Sequence, residues 1–251
     1  MLTWLSSSAS PVPHLALEVL AYGLGARVYA WSARAQPQLT PMARGDRWLL
    51  FGCALFGAAV GSKGLHVLEH WPALLERGEL ASWLGGKSVL GGFLGGTLGV
   101  ELGKKCIGWR GSTGDAWVPA LALGLVVGRL GCQLSGTWDQ TYGNPTSLPW
   151  AWDYGDGLGR HPVALYELLL VTVLWALTRR RWLTSPGARF AAFMGGYCAL
   201  RFGLEFLKPP FGDAAPTTLA VARYAGLSAI QWAALLGGAW FFALWRRRVH
   251  H

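Results

Sequence analysis

The chain has 251 residues, 52% of them hydrophobic and only 14% charged, with 35 glycines, 15 tryptophans and a formal net charge of +9. Soluble domains carry roughly a quarter charged residues, so this chain lacks the charge that keeps a soluble surface wet and is expected to be an integral membrane protein. The positive balance does not point to nucleic acid, because the basic residues fall in short clusters between apolar runs and not along one face or in an aromatic-rich module.

In chain order, Met1 to His14 reads as a neutral leader rich in Ser and Pro. No Lys or Arg precedes Arg27, so the positive n-region of a cleavable signal is missing. Seven segments then have about the length needed to cross a hydrocarbon core, ~17–25 residues each. They run roughly Leu15 to Trp31, Trp48 to Val67, Val89 to Leu102, Trp117 to Leu134, Val163 to Leu177, Phe190 to Leu207 and Ala225 to Trp245. The third is short and glycine-rich, and is the one open to being broken or re-entrant. Four cysteines scattered through these runs show neither metal-ligand spacing nor a disulfide framework, with Cys132 the one to watch.

Basic clusters follow alternate segments: Arg34, Arg44 and Arg47; Lys104, Lys105 and Arg110; Arg179, Arg180, Arg181 and Arg189; Arg246, Arg247 and Arg248. The positive-inside rule then gives an exoplasmic N-terminus and a cytoplasmic C-terminus. The expected architecture is an all-α polytopic membrane protein, one transmembrane domain over residues 1–251 with about seven transmembrane helices and an exoplasmic loop segment at about 135–162. His70 to Gly85 and Pro209 to Tyr224 would be exoplasmic too. Trp31, Trp48, Trp109, Trp117, Trp182 and Trp245 sit at expected segment ends, as an aromatic belt would place them.

Two features of the apolar segments bear on function. Gly91, Gly95 and Gly99 recur every four positions, as do Gly92 and Gly96. Such stripes let backbones approach closely, or give a lipid a smooth wall to slide along. Glu18, Arg27, Lys63, Glu101, Arg129, Glu167, Arg201 and Glu205 lie within or at the rim of apolar runs, and ionisable groups there are functional candidates. Arg201 and Glu205, four apart on one helical face, can neutralise each other. Arg129 and Arg201 on different segments would repel unless an anion lies between them, and a lipid phosphate is the obvious anion. The stretch from Gly128 to Glu167, crossing an aperiodic Gly-, Pro- and Trp-rich segment with Arg160 at its far boundary, is the expected centre of activity.

Several motifs occur in a telling order: Tyr22-Gly23; Gly85-Gly86-x-Ser88-x-x-Gly91-Gly92-x-x-Gly95; Gly128-Arg129-Leu130-Gly131 followed by Gly136; Arg160-His161-Pro162-x-x-Leu165-Tyr166-Glu167; Arg201-Phe202 with Glu205-Phe206; and Gln231. In this order and spacing, from about Tyr22 to Trp245, the chain resembles the prolipoprotein diacylglyceryl transferases. The resemblance implies a bacterial plasma (inner) membrane, multi-pass enzyme of lipoprotein biosynthesis. It would transfer the diacylglyceryl group of phosphatidylglycerol to the lipobox cysteine thiol of a preprolipoprotein, releasing glycerol phosphate. The implied partners are phosphatidylglycerol, a preprolipoprotein signal peptide and the membrane, with no nucleic acid, no soluble cofactor and no metal.

Arg129 and Arg201 match the family's two essential arginines, which suits a reaction that needs positive charge aimed at a departing phosphate. The acceptor thiol, with an unperturbed pKa of about 8.5, also needs a base or an electropositive site. Candidate catalytic residues are Arg129, Arg201, His161 and Asp139, with Tyr142 a further local base. Candidate phosphatidylglycerol-binding residues are Arg129, Arg160, Arg201, Tyr22, Gly91, Gly92, Gly136, Glu167, Glu205 and Lys63.

The chain departs from the family at four places. The histidine before the Gly-Gly pair is Leu90, the asparagine of the G-R-x-G-N string is Cys132, the N-G-E stretch is Ser135-Gly136-Thr137, and a basic position in the second segment is Lys63 in place of arginine. Two alternatives therefore stand beside the transferase: a divergent paralogue using phosphatidylglycerol with a different acceptor, and a non-catalytic phospholipid-binding membrane protein.

Overall fold

The computed structural model describes residues 10–36, 39, 41–179, 183, 185–209 and 219–249. Most of the expected leader, together with Arg180, Arg181 and Trp182 and residues 210–218, lies outside them. Eight α-helices are present among the described residues: α1 Pro11–Arg34, α2 Arg44–Arg77, α3 Leu80–Gly85, α4 Val89–Cys106, α5 Val118–Leu134, α6 Val163–Thr178, α7 Ala188–Leu204 and α8 Ala229–Val249. All but the short α3 fall on the seven expected segments.

Three helical stretches, Arg44–Arg77, Asp115–Leu134 and Ala188–Leu207, are long and apolar enough to cross a membrane, while Val163–Thr178 is apolar but shorter. The outward faces are apolar: Phe56, Val60, Leu169, Val173, Leu236 and Phe242 are all exposed. A monomer in water would not leave such a surface bare, whereas lipid chains cover it without cost.

The helices run antiparallel to their packing partners. Gly57 meets Gly95 and Gly61 meets Gly91 between α2 and α4; Gly25 meets Ala120 and Gly131 meets His14 between α1 and α5; Gly195 meets Phe241 between α7 and α8. A core of Leu90, Val171, Phe193, Met194, Tyr197, Cys198 and Phe241 fills the centre.

The third segment is not broken. It forms one continuous helix, α4, and its glycines explain why. A Cβ on Gly91, Gly95 or Gly99 would lie 2.2–2.3 Å from a backbone carbonyl oxygen of Gly61, Gly57 or Cys53 on α2. That stripe is consumed by close packing of two helix backbones, while Gly92 and Gly96 lie at 3.3–3.7 Å from their nearest neighbours.

The last segment starts later than expected. Residues Arg223–Tyr224 (β3) and Leu227–Ser228 (β4) pair as a small antiparallel hairpin, with Ala225 at φ 48 and Gly226 at φ 83 in its turn. Gln231, buried, closes the start of α8: its side-chain oxygen accepts from the Ser228 amide at 2.9 Å, and the Gln231 backbone amide donates to the Ser228 hydroxyl at 3.2 Å. An earlier hairpin pairs Trp152–Asp153 (β1) with Gly159–Arg160 (β2) inside the loop between α5 and α6.

Candidate functional site

The C-terminal ends of α5 and α7 and the N-terminal ends of α1 and α6 meet at one end of the bundle, and each delivers a polar side chain there. Glu167, in the second turn of α6, is 1% exposed. Its Oε2 accepts from Arg129 Nε of α5 at 3.0 Å and from Arg201 Nη1 of α7 at 2.9 Å. Its other oxygen accepts from the Tyr197 hydroxyl at 2.9 Å. The two arginines thus converge from separate helices, as expected, but the anion between them belongs to the protein: Glu167 occupies the position assigned in the sequence reading to a lipid phosphate. A buried carboxylate flanked by two guanidinium groups satisfies its desolvation through short charge-assisted bonds.

The expected i,i+4 pair is present as well, with Arg201 Nη2 at 2.8 Å from Glu205 Oε2. Lys208 Nζ lies 3.7 Å from the same oxygen, and burial, then the nearby Arg201, pushes the Lys208 ammonium pKa down. Arg129, Arg201 and Lys208 face the carboxylates Glu167 and Glu205, with the buried Glu69 close enough to act electrostatically on Glu205 and Lys208. Arg201 Nε is buried and finds no acceptor among the described residues. A buried pair of guanidinium groups with a spare donor is suited to an anionic group.

A second polar group abuts the first through Cys132. Its sulfur lies 3.6 Å from Arg129 Nη1 and 3.8 Å from His14 Nδ1. His14 Nδ1 is 2.7 Å from Asp139 Oδ1, and its Nε2 is 3.6 Å from Glu18 Oε2. Glu18 in turn accepts from Tyr22 at 2.6 Å and pairs with Lys87 at 3.0 Å.

Local chain geometry makes this meeting possible. Ser10 caps α1 by accepting from the Val12 amide, so the histidine of its first turn faces α5, and the His14 amide donates to Ser135 Oγ at 3.0 Å. Gly136, at φ 62, ends α5 in the left-handed region and turns the chain so that Asp139 returns over His14. The Thr141 hydroxyl donates to Asp139 Oδ2 at 2.6 Å and fixes the carboxylate.

His14, Cys132 and Asp139 present one ligand atom each within 4.8 Å of one another. Their arrangement is a hydrogen-bonded one all the same. The 2.7 Å contact is a direct imidazole–carboxylate bond, and the Arg129 guanidinium beside the thiol opposes a cation there.

The remaining candidates lie around this core. Arg160 is buried in the β1–β2 hairpin, where it pairs with Asp156 at 2.5 Å and stacks over the Tyr142 ring at 4.7 Å. His161 Nδ1 lies 3.3 Å from the Tyr166 hydroxyl, which accepts from the Trp150 indole at 2.8 Å. Among the described contacts, those of His161 do not reach the chain that links Arg129 to Arg201. Tyr154, buried above α5, donates to Gln133 Oε1 at 3.0 Å, and burial pushes its phenol pKa up.

Among the described contacts Tyr22 reaches the cluster through Glu18, on an exposed face of α1. Lys63 donates to the Gly86 carbonyl at 2.8 Å. Gly91 has its Cα face closed by Gly61, so contact with a ligand on that face has no room. Leu90 is 1% exposed in the apolar core. Asp115, at the opposite end of the bundle, caps α7 by accepting from the Gly187 and Phe190 amides at 2.6 and 2.9 Å.

Sequence reasoning missed His14, Tyr197 and Lys208. His14 was assigned to the leader, Tyr197 lacked a charge to draw notice, and Lys208 stood one residue past an expected segment end. The spacing of Tyr197 and Arg201, four apart like Arg201 and Glu205, was the available signal for the second.

A family model described as prolipoprotein diacylglyceryl transferase matches residues 16–245. The chain is 35% identical over 229 residues to the phosphatidylglycerol-prolipoprotein diacylglyceryl transferase of Bordetella parapertussis, covering 85% of this chain and 83% of that protein. It is 36% identical over 220 residues to the protein of that name from Aromatoleum aromaticum, covering 80% and 76% of the two chains. The protein of that name from Rhodococcus jostii is 30% identical over 219 residues, covering 75% of this chain and 59% of its own length.

Proposed function

The chain belongs to the prolipoprotein diacylglyceryl transferase family and is a transferase, and from that premise we propose that it moves the diacylglyceryl group of phosphatidylglycerol onto the lipobox cysteine of a preprolipoprotein. The chain would cross the bacterial inner membrane about seven times, N-terminus exoplasmic and C-terminus cytoplasmic, with the arginine cluster toward the exoplasmic leaflet. Support for that orientation comes from the basic residues at the other end of the helices, among them Arg34, Lys104, Lys105, Arg179 and Arg246 to Arg248.

The observation that carries the proposal is the buried group of Arg129, Glu167 and Arg201, in which two guanidinium groups from separate helices share one carboxylate. In the transfer, an acceptor thiolate forms a bond to the glycerol carbon, the carbon–oxygen bond to phosphate breaks, and glycerol phosphate leaves with the electron pair. Negative charge grows on the phosphate oxygens in that step. Guanidinium groups already fixed in place by Glu167 stabilise it without reorganisation, which is how preorganised donors lower a barrier. Glu167 and Glu205 orient the arginines, and Arg201 Nε is the donor that remains for the lipid.

Mass spectrometry of purified protein incubated with phosphatidylglycerol vesicles and a lipobox peptide tests the proposal. The expected products are free glycerol phosphate and a peptide carrying a thioether-linked diacylglyceryl group; neither product forming would refute it. One observation favours a second acceptor class: a thiol at 132 lies 3.6 Å from Arg129 Nη1 while the arginine cluster is intact. Glycerol phosphate release without peptide modification would select that alternative.

A further inference from the structure

We propose that His14, held by Asp139, is the base that takes the proton from the acceptor thiol; the inference rests on the transfer reaction proposed above. With Nδ1 bonded to the Asp139 carboxylate at 2.7 Å, the tautomer protonated at Nδ1 leaves Nε2, 3.6 Å from Glu18 Oε2, as the basic nitrogen. Asp139 is well placed to enforce that tautomer, because its side chain is only 7% exposed and its second oxygen is held by Thr141 at 2.6 Å. The backbone is anchored too, through the His14 amide on Ser135 Oγ.

Position relative to the arginines decides between a structural and a chemical role. One sulfur atom, Cys132 Sγ, separates His14 Nδ1 from Arg129 Nη1, at 3.8 and 3.6 Å. The dyad therefore borders the site where phosphate would depart along its Nδ1 edge, with Nε2 directed toward Glu18, and it does so from α1. The imidazole ring is partly open to the outside, beside the exposed Trp138 ring at 5.8 Å between centroids. An acceptor peptide can reach it there, which it could not do at the fully enclosed Glu167. His161, by contrast, is occupied by Tyr166 within the loop and has no link to Arg129 among the described contacts.

The step balances with the groups present. The thiol proton passes to His14 Nε2, the sulfur lone pair forms the sulfur–carbon bond, and the carbon–oxygen pair leaves with glycerol phosphate. The resulting imidazolium is stabilised by Asp139 on one nitrogen and by Glu18, 3.6 Å from Nε2, on the other. The groups facing His14 are Glu18 from its own helix, Asp139 from the turn after α5, and Cys132 with Arg129 behind it from α5; Lys87 reaches it only through Glu18.

The experiment compares wild type, His14→Gln and Asp139→Asn in phosphatidylglycerol nanodiscs with two acceptor peptides that differ in one atom, cysteine or selenocysteine. A selenol is already ionised at neutral pH and needs no base. With the cysteine peptide at pH 7, His14→Gln should slow transfer by up to about 30-fold, the factor set by the thiolate fraction that a pKa of about 8.5 leaves at that pH, and Asp139→Asn should slow it in the same direction. With the selenocysteine peptide both variants should recover the wild-type rate. Equal rates of His14→Gln and wild type on the thiol overturn the inference and leave the transferase intact. Loss on both acceptors also overturns it, because it marks a structural role. Wild type inactive on both acceptors overturns the transfer reaction and the base with it.

Discussion

Arg201 of α7 donates to Glu167 of α6 at 2.9 Å, in a place where neither group can reach water. The helix ends at that point are held together by this contact and its counterpart from Arg129 at 3.0 Å. Removing one member of such a buried pair leaves an uncompensated charge. Glu167→Gln is expected to destabilise the fold by ~3–5 kcal/mol, read as a lowered thermal midpoint in detergent. Glu167→Asp, which keeps the charge but shortens the reach, should fall between that variant and wild type.

Arg201 uses Nη1 for Glu167 and Nη2 for Glu205, in a fork that a lysine cannot reproduce. Arg201→Lys should therefore keep the positive charge yet lose about 100-fold or more in turnover, as the loss of one preorganised donor does elsewhere. Near-wild-type turnover of Arg201→Lys would show that charge alone suffices.

Packing of α2 against α4 makes a sharp distinction within one helix. A Cβ at Gly95 would lie 2.2 Å from the Gly57 carbonyl oxygen, whereas at Gly92 it would meet the Ala58 oxygen at an ordinary 3.7 Å. Gly95→Ala should cost at least ~1–3 kcal/mol by overpacking and lower the yield of folded protein, while Gly92→Ala should be tolerated. Comparable melting and yield for the two variants would contradict this account of the stripe.

Tyr154 ties the loop before α6 to α5 through Gln133 at 3.0 Å. Burial raises its phenol pKa above the ordinary value of 10, so its contribution is fully present below pH 10 and is lost as pH climbs from there toward the raised value. Tyr154→Phe should lose about 1 kcal/mol at neutral pH and show a flatter fall in stability above pH 10 than wild type, measured by melting across that range.

Much of the scaffold was legible because apolar runs and their glycines act locally. The seven longer helices stand where hydrophobic length put them, and the i,i+4 spacing of Arg201 and Glu205 announced their pairing. What was hidden depended on distance in the chain. No local pattern reveals that His14 meets Asp139, because the contact needs α1 antiparallel to α5 and the turn at Gly136. Glu167 was visible as an acid within an apolar run, but only the packing of α6 between α5 and α7 shows it as the anion between two arginines. The hairpin that delays α8 was masked by the apolar residues around Ala225. The doubt over α4 came from reading glycines as breakers, when the facing glycines of α2 make the same residues a seam.

The central claim is that Arg129 and Arg201, fixed by Glu167, act on the departing phosphate. The most direct measurement is the rate of glycerol phosphate release from phosphatidylglycerol nanodiscs, with a lipobox peptide present, for wild type, Arg129→Ala and Arg201→Ala that retain helical content by circular dichroism. Both variants should fall by at least about 100-fold, with peptide lipidation falling in parallel. Release at the wild-type rate by either folded variant would contradict the account.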